Sequence, residues 1–174
     1  MKSRPSNAKE TADVDRHVRE AAIRRAKRAD LAQAADLIVR TKRLNNEFDP
    51  LFKVVDDAQS KAKEYLEESL GHEKVLLLVG VQGDKVVAIL RAEVRERVLY
   101  EPSVEGFITD FYIMPEYRRK ALGEKVLRQA TKELVRMGAG VITAAVPTRN
   151  EIAVRFYTKS GFRSLVQLFA GKGQ

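Results

Sequence analysis

Two apolar runs of strand length, VLLLVGV at residues 75–81 and the start of KVVAILRAEVRERVLY at 85–100, meet across Gln82-Gly83-Asp84. Strand-length runs flanking a glycine-containing turn predict a β-hairpin. A chain that commits its most hydrophobic stretch to a hairpin is committed to a sheet, and the flanking periodicity says what accompanies it. Before the hairpin, residues 22–26 read as a short edge strand. Asp30 reads as the N-cap of a helix reaching Thr41, with Leu31, Ala34, Ala35 and Ile38 on one face. KRLNNEFDPLF (42–52) reads as a loop or broken helix, and Ala58, Ala62, Tyr65 and Leu66 line a second helix ending near Gly71.

After the hairpin the pattern alternates. FITDFYIM (107–114) is a β-branched and aromatic strand stopped by Pro115. Leu122, Val126, Leu127, Ala130 and Leu134 make a helix face to about Met137, and GVITAAV (140–146) is a strand stopped by Pro147. Asn150 caps a helix through about Ser160, and FRSLVQLF (162–169) supplies a last strand. A hairpin followed by strands separated by helices implies a mixed sheet in an α/β or α+β domain.

Composition narrows the chemistry. The 174 residues contain no cysteine and only His17 and His72. Thiolate nucleophiles, disulfide scaffolds, Cys-ligated metals and multi-histidine centres are therefore excluded, and no metal is expected. Residues 1–20 are polar and without periodicity, so they read as an extension, leaving 21–174 as one domain. No apolar run suits a signal peptide or a membrane span, so the expectation is a soluble, cytoplasmic protein. Lys+Arg 32 against Asp+Glu 24 gives +8. That charge fits a nucleic-acid surface or a pocket for a small polyanion.

The segment PEYRRKALGEKVL (115–127) bears on the choice. Arg118, Arg119 and Lys120 stand before a helix, followed by Ala121, Leu122, Gly123 and Glu124. Unsatisfied N–H groups and the positive end of the dipole favour an anion there, and small residues allow close approach. The alternative is a basic, solvated loop ahead of a helix. Walker A spacing and the Gly-x-Gly-x-x-Gly turn are both missing.

ITDFYIMPEYRRKALGEKVL (108–127) resembles the central motif of the GNAT superfamily of acyl-CoA-dependent N-acetyltransferases. Arg118 matches the first position of its Arg/Gln-x-x-Gly-x-Gly/Ala signature and Gly123 the last, while Ala121 replaces the middle glycine. NEIAVRFYTKSGF (150–162) resembles the family's other motif, with Asn150, Ala153, Phe156, Tyr157, Gly161 and Phe162 in place.

The resemblance implies a mostly antiparallel sheet in which the strands at 107–114 and 140–146 form a splayed parallel pair that receives the pantetheine arm of acetyl-CoA. Phe111, Tyr112 and Ile113 would contact that arm, and residues 118–124, with Asn150 and Tyr157, complete the cofactor-binding set. It also implies direct attack by an amine on the thioester, with Tyr157 as general acid toward the leaving thiolate. Asp110 is a candidate base or, equally, a structural hydrogen-bond partner, and Glu47, Asp49 and Glu151 are further candidates. Glu116 belongs rather to the turn.

The acceptor groove would draw on 42–52 and 98–106, where Glu47, Asp49, Glu101 and Glu105 accompany Phe48, Phe52 and Tyr100. Acids there suit a cationic amine such as a lysine, a protein N-terminus or a polyamine; solvated loop acids are the plainer account. A non-catalytic acyl-CoA sensor is the alternative to an enzyme, a homodimer is compatible with either, and a nucleic-acid partner is not expected. Of the +8, residues 1–29 hold nine Lys/Arg against four acids, hence +5 in the leader and first strand.

Overall fold

A computed structural model describes residues 21–118, 121–171 and 173. The expected extension at 1–20 lies outside the described residues. Five strands form one sheet in the order β1-β2-β3-β4-β5: β1 (Ala22–Arg25), β2 (Val75–Gln82), β3 (Lys85–Glu96), β4 (Val104–Ile113) and β5 (Val141–Ala144). Neighbours are antiparallel except β4 and β5, which run parallel. Helices α1 (Leu31–Phe48) and α2 (Ala58–Ser69) cover one face, and α3 (Leu122–Arg136) covers the other; α4 (Glu151–Lys159) comes after β5. This is the mixed sheet that the hairpin and the later alternation predict.

The core forms where periodicity placed it. Leu31, Ala34, Ala35 and Ile38 of α1 and Leu122, Val126, Leu127, Ala130 and Leu134 of α3 are all buried against the hairpin. Burying such side chains stabilises by roughly 1.5–3 kcal/mol for each large one. Gly106 marks a tight seam: a Cβ there would meet Ile142 Cδ1 at 2.9 Å and Leu134 Cδ1 at 3.0 Å. β4, β5 and α3 therefore converge on a residue without a side chain.

Several expectations fail. α1 does not stop at Thr41 but continues to Phe48, because the two asparagines are tolerated inside an established helix; Asp49-Pro50 ends it, with Asp49 Oδ1 accepting from the Leu51 N–H at 2.9 Å. Asp30 precedes α1 yet does not cap it. Its carboxylate instead accepts from Arg24 at 2.7 and 2.9 Å and from the Lys27 N–H at 2.7 Å, and the Arg24 guanidinium holds it below the usual carboxylate range. β3 ends at Glu96 rather than Tyr100, and β5 is confined to four residues. FRSLVQLF forms no strand: beyond Phe162 the segment is exposed and without ladder bonds.

Candidate functional site

β4 is paired differently along its two halves. Glu105 to Ile108 face Val141 to Ala144 of β5, and the pairing ends there, while β4 runs on to Ile113 against β3 alone. The backbone groups of 109–113 that face away from β3 thus have no strand beside them. At the division the register slips: Arg91 opposes Asp110 but Ala92 opposes Ile108, leaving Thr109 as an extra residue. Such a bulge re-aims the side chains beyond it. Gly106 lies against α3, whereas Thr109 and Asp110 reach α2 and α1, so the bulge carries Asp110 and Tyr112 to the α1/α2 face and turns Phe111 and Ile113 toward α3 and α4.

On the α1/α2 face Asp110 is 2% exposed. It is ion-paired with Lys42 of α1, and it accepts from the Tyr65 hydroxyl at 3.0 Å. The network extends through Arg91, also buried, whose Nε donates to Ser69 Oγ at 2.8 Å and whose Nη1 donates to Thr109 Oγ1 at 3.0 Å. The Arg91 guanidinium lies 4.3 Å from the Tyr65 ring centre. Burial, together with the Asp110 charge, pushes the Tyr65 phenol up to about 12. Each buried polar group is thereby satisfied by another.

The α3/α4 face is built from rings. Phe111 meets Phe156 edge-on at 5.5 Å, Phe156 meets Tyr157 at 5.4 Å, and Tyr157 meets Phe162 at 5.2 Å. Tyr157 is buried, and its hydroxyl has no hydrogen-bond partner among the described residues. Burial pushes its pKa up, keeping the phenol protonated at neutral pH. Gly123 belongs to the same packing, since a Cβ on it would meet Phe156 Cε2 at 3.1 Å.

The turn into α3 takes an uncommon conformation. Ala121 has φ +60°, in the left-handed region that glycine occupies without penalty. Leu122 is buried behind it, and Glu124 stands exposed in the first turn. Arg118 folds back, its Nε donating to the Ile113 carbonyl at 2.9 Å and its guanidinium 5.1 Å from the Tyr112 ring centre. Arg119 and Lys120 lie outside the described residues. Asn150 caps α4, its Oδ1 accepting from the Ala153 N–H at 3.1 Å.

Between α1 and the end of β4 lies a cleft of about 480 Å³, lined by Arg40, Arg43, Leu44, Glu47, Tyr112, Pro115 and Arg118. Other expected acids are occupied: Asp49 in its turn, Glu151 with Arg155, and Glu105 with Thr143. Sequence reading missed Lys42, Tyr65, Arg91 and Thr109 as members of the site. A lone arginine inside AILRAEV was a signal, since a charge there needs buried partners. Among the described residues no group of three His, Cys, Asp or Glu is placed to hold a metal ion, and no helix is long and apolar enough to cross a membrane.

Known proteins share this fold. The family model of the GNAT acetyltransferases matches residues 41–162, well over half the chain. An aminoglycoside 6'-N-acetyltransferase AAC(6')-IG from Acinetobacter haemolyticus superposes with TM-score 0.71 at 18% identity, covering 88% of this chain and 98% of that one. The tetramutant of BH1408 protein from Bacillus halodurans gives 0.77 at 19%, covering 87% and 99%. An aminoglycoside N-acetyltransferase AAC(6')-Iy solved in complex with CoA gives 0.72 at 13%, covering 89% and 95%. At such identities these likenesses establish the fold alone. No curated protein matches the chain significantly in sequence. The family match, together with the parallel β4–β5 pair and the fold it shares with these structures, makes the chain a member of the GNAT acetyltransferase family.

Proposed function

We propose that this protein transfers an acetyl group from acetyl-CoA to a primary amine by direct attack within a ternary complex. The observation that carries the reading is the unaccompanied half of β4: residues 109–113 have no strand beside them beyond the end of β5, with the Ile113 carbonyl held by Arg118, and lead into the left-handed turn at Ala121. An extended pantetheine arm binds such an edge as an added strand does. Phe111, Tyr112 and Ile113 would hold it, while the amides of 119–124 and the charges of Arg119 and Lys120 would hold the pyrophosphate. A free strand edge and an anion-binding helix entry in sequence fit this molecule. The AAC(6')-Iy structure with CoA supports the assignment by likeness of fold.

Acetyl-CoA supplies an acyl carbon activated by thiolate departure. The amine lone pair forms the new C–N bond as the C–S bond breaks, and the Tyr157 hydroxyl gives its proton to the departing sulfur. A phenol that keeps its proton at neutral pH is in the state a donor requires. The proton lost by the amine leaves toward the cleft, where Glu47 is the one lining carboxylate among the described residues. Asp110, engaged by Lys42 and Tyr65, acts in this reading as a positioning residue rather than one that touches the amine.

Arg40, Arg43 and Arg118 outnumber Glu47 in that cleft. This balance disfavours polycations such as the aminoglycosides for which those structural neighbours are named, and favours amines of low positive charge. Release of free thiol from acetyl-CoA, measured across amino acids, peptide N-termini, lysine peptides, polyamines and aminoglycosides, tests the proposal. Amine-dependent release is expected, strongest outside the polycations. CoA binding by calorimetry without release for any amine would instead make the chain an acyl-CoA sensor.

A further inference from the structure

Exposed arginines elsewhere in this chain find carboxylates: Arg25 and Arg136 pair with Glu133 at 3.1 and 3.0 Å, and Arg155 pairs with Glu151 at 2.8 Å. The cleft between α1 and the end of β4 is different. Arg40 and Arg43, three residues apart and so on one side of α1, line it together with Arg118. Among the described residues neither Arg40 nor Arg43 makes a hydrogen bond or an ion pair. Arg40 acts on Glu116 through its charge alone, and that carboxylate is already paired with Lys85 at 3.4 Å. Arg118 uses its Nε for the Ile113 carbonyl, which leaves its two terminal nitrogens without a partner among the described residues.

Two further lining groups are also uncommitted. Tyr112 is 9% exposed, and its hydroxyl has no hydrogen-bond partner among the described residues. Glu47 stands one helical turn beyond Arg43, a spacing that allows a pair, yet no ion pair forms between them. Three guanidiniums facing one cleft raise its positive potential, and an oxyanion is the partner that their planar forks and a phenol donor fit. The volume of about 480 Å³ suits a small molecule.

We propose that the acceptor is a small amine that also carries an oxyanion, a carboxylate or a phosphate ester, with Arg40 and Arg43 as the residues that select it. The inference rests on the transferase reading and names the acceptor class of that site. Arg118 and Tyr112 add donors to the anion, and Glu47 faces the amine. The amine nitrogen forms the C–N bond as the C–S bond breaks, its own proton leaving toward Glu47 and the Tyr157 proton going to sulfur; the oxyanion takes no part and stays on the product. Because the cleft lies on the α1/α2 side of β4 and Tyr157 on the α3/α4 side, nucleophile and acid approach the free edge from opposite faces.

Thiol-release kinetics on matched acceptors test this: O-phosphoethanolamine against ethanolamine, and α-amino acids against their amides. In at least one pair the anionic member should have a kcat/KM at least about tenfold higher, and which pair does so tells phosphate from carboxylate. Arg40→Gln and Arg43→Gln, both at exposed positions, should each raise the KM of that anionic acceptor about tenfold, its kcat and the KM of the neutral member changing far less. Neutral members that serve equally well in both pairs overturn the proposal, as does a preference that survives both substitutions. A fall in CoA affinity by calorimetry in these variants, with acceptor KM unchanged, would assign the cleft to the co-substrate and also overturn it. If no amine releases thiol, the transferase reading fails separately, and calorimetry of the CoA-bound protein with the same anionic amines decides the cleft: binding lost in Arg43→Gln upholds recognition of such an amine, and no binding overturns it.

Discussion

The two faces of β4 are built on opposite principles. Toward α1 and α2, Asp110 sits among Lys42, Tyr65, Thr109 and Arg91, where each polar atom is fixed by another. Toward α3 and α4, Phe111, Phe156, Tyr157 and Phe162 contact one another edge to face, and the one hydroxyl among them has no partner among the described residues. A network satisfied internally has little left to offer a reactant. A buried phenol with an uncommitted proton has a great deal, so the first face is expected to carry stability and the second to carry turnover.

The largest effect should come from stranding the buried carboxylate. Lys42→Met leaves Asp110 with Tyr65 as its remaining close partner and should cost about 3 kcal/mol of stability by urea denaturation. On the other face Tyr157→Phe should lower turnover about a hundredfold, equivalent to about 2.7 kcal/mol of barrier, with CoA affinity by calorimetry and thermal midpoint nearly unchanged. If Tyr157→Phe instead unfolds the protein and Lys42→Met does not, the division of labour is reversed.

Tyrosine titration sharpens the contrast. Of the five tyrosines, Tyr65 and Tyr157 should ionise late in an absorbance titration, both raised by burial. Asp110→Asn should bring Tyr65 down, because that carboxylate is a second cause of its shift, while Tyr157 stays where it is. Because both pKa values are raised on folding, the associated stability is complete below the unfolded tyrosine value near 10 and is lost as pH rises through the folded values.

Away from β4, Arg24→Ala should cost about 1 kcal/mol, the scale of a partly exposed charge-assisted pair. Asp30 is lowered on folding, so its contribution is complete above the unfolded carboxylate value and is lost as pH falls through the folded one. The variant should therefore differ from the parent chain at neutral pH and converge with it in acid. The smallest effect belongs to Ala121→Gly, which should stabilise by about 1 kcal/mol or less in thermal unfolding, through relief of the left-handed strain.

What the sequence made legible was periodic or motif-bound. The hairpin, the apolar faces of α1 and α3, and the strand–turn–helix around Pro115 stand where spacing put them. The bulge at Thr109 was invisible because Gly106, Ile108, Asp110 and Tyr112 are buried in unbroken alternation, although the extra residue divides them between two faces. The ionic network joins Lys42, Tyr65, Arg91 and Asp110 from four separate elements, and no local pattern announces such a meeting. The last strand was legible as composition but not as structure: beyond Phe162 the segment pairs with no strand among the described residues and stays exposed.

The free half of β4 is the proposed seat of the acetyl donor, and every catalytic role assigned to this chain depends on it. Hydrogen exchange of the backbone amides of residues 109–113, followed with and without CoA, tests that most directly. Slowed exchange there, with the β2–β3 hairpin unchanged, is the predicted result; saturating CoA that leaves 109–113 unprotected would contradict it.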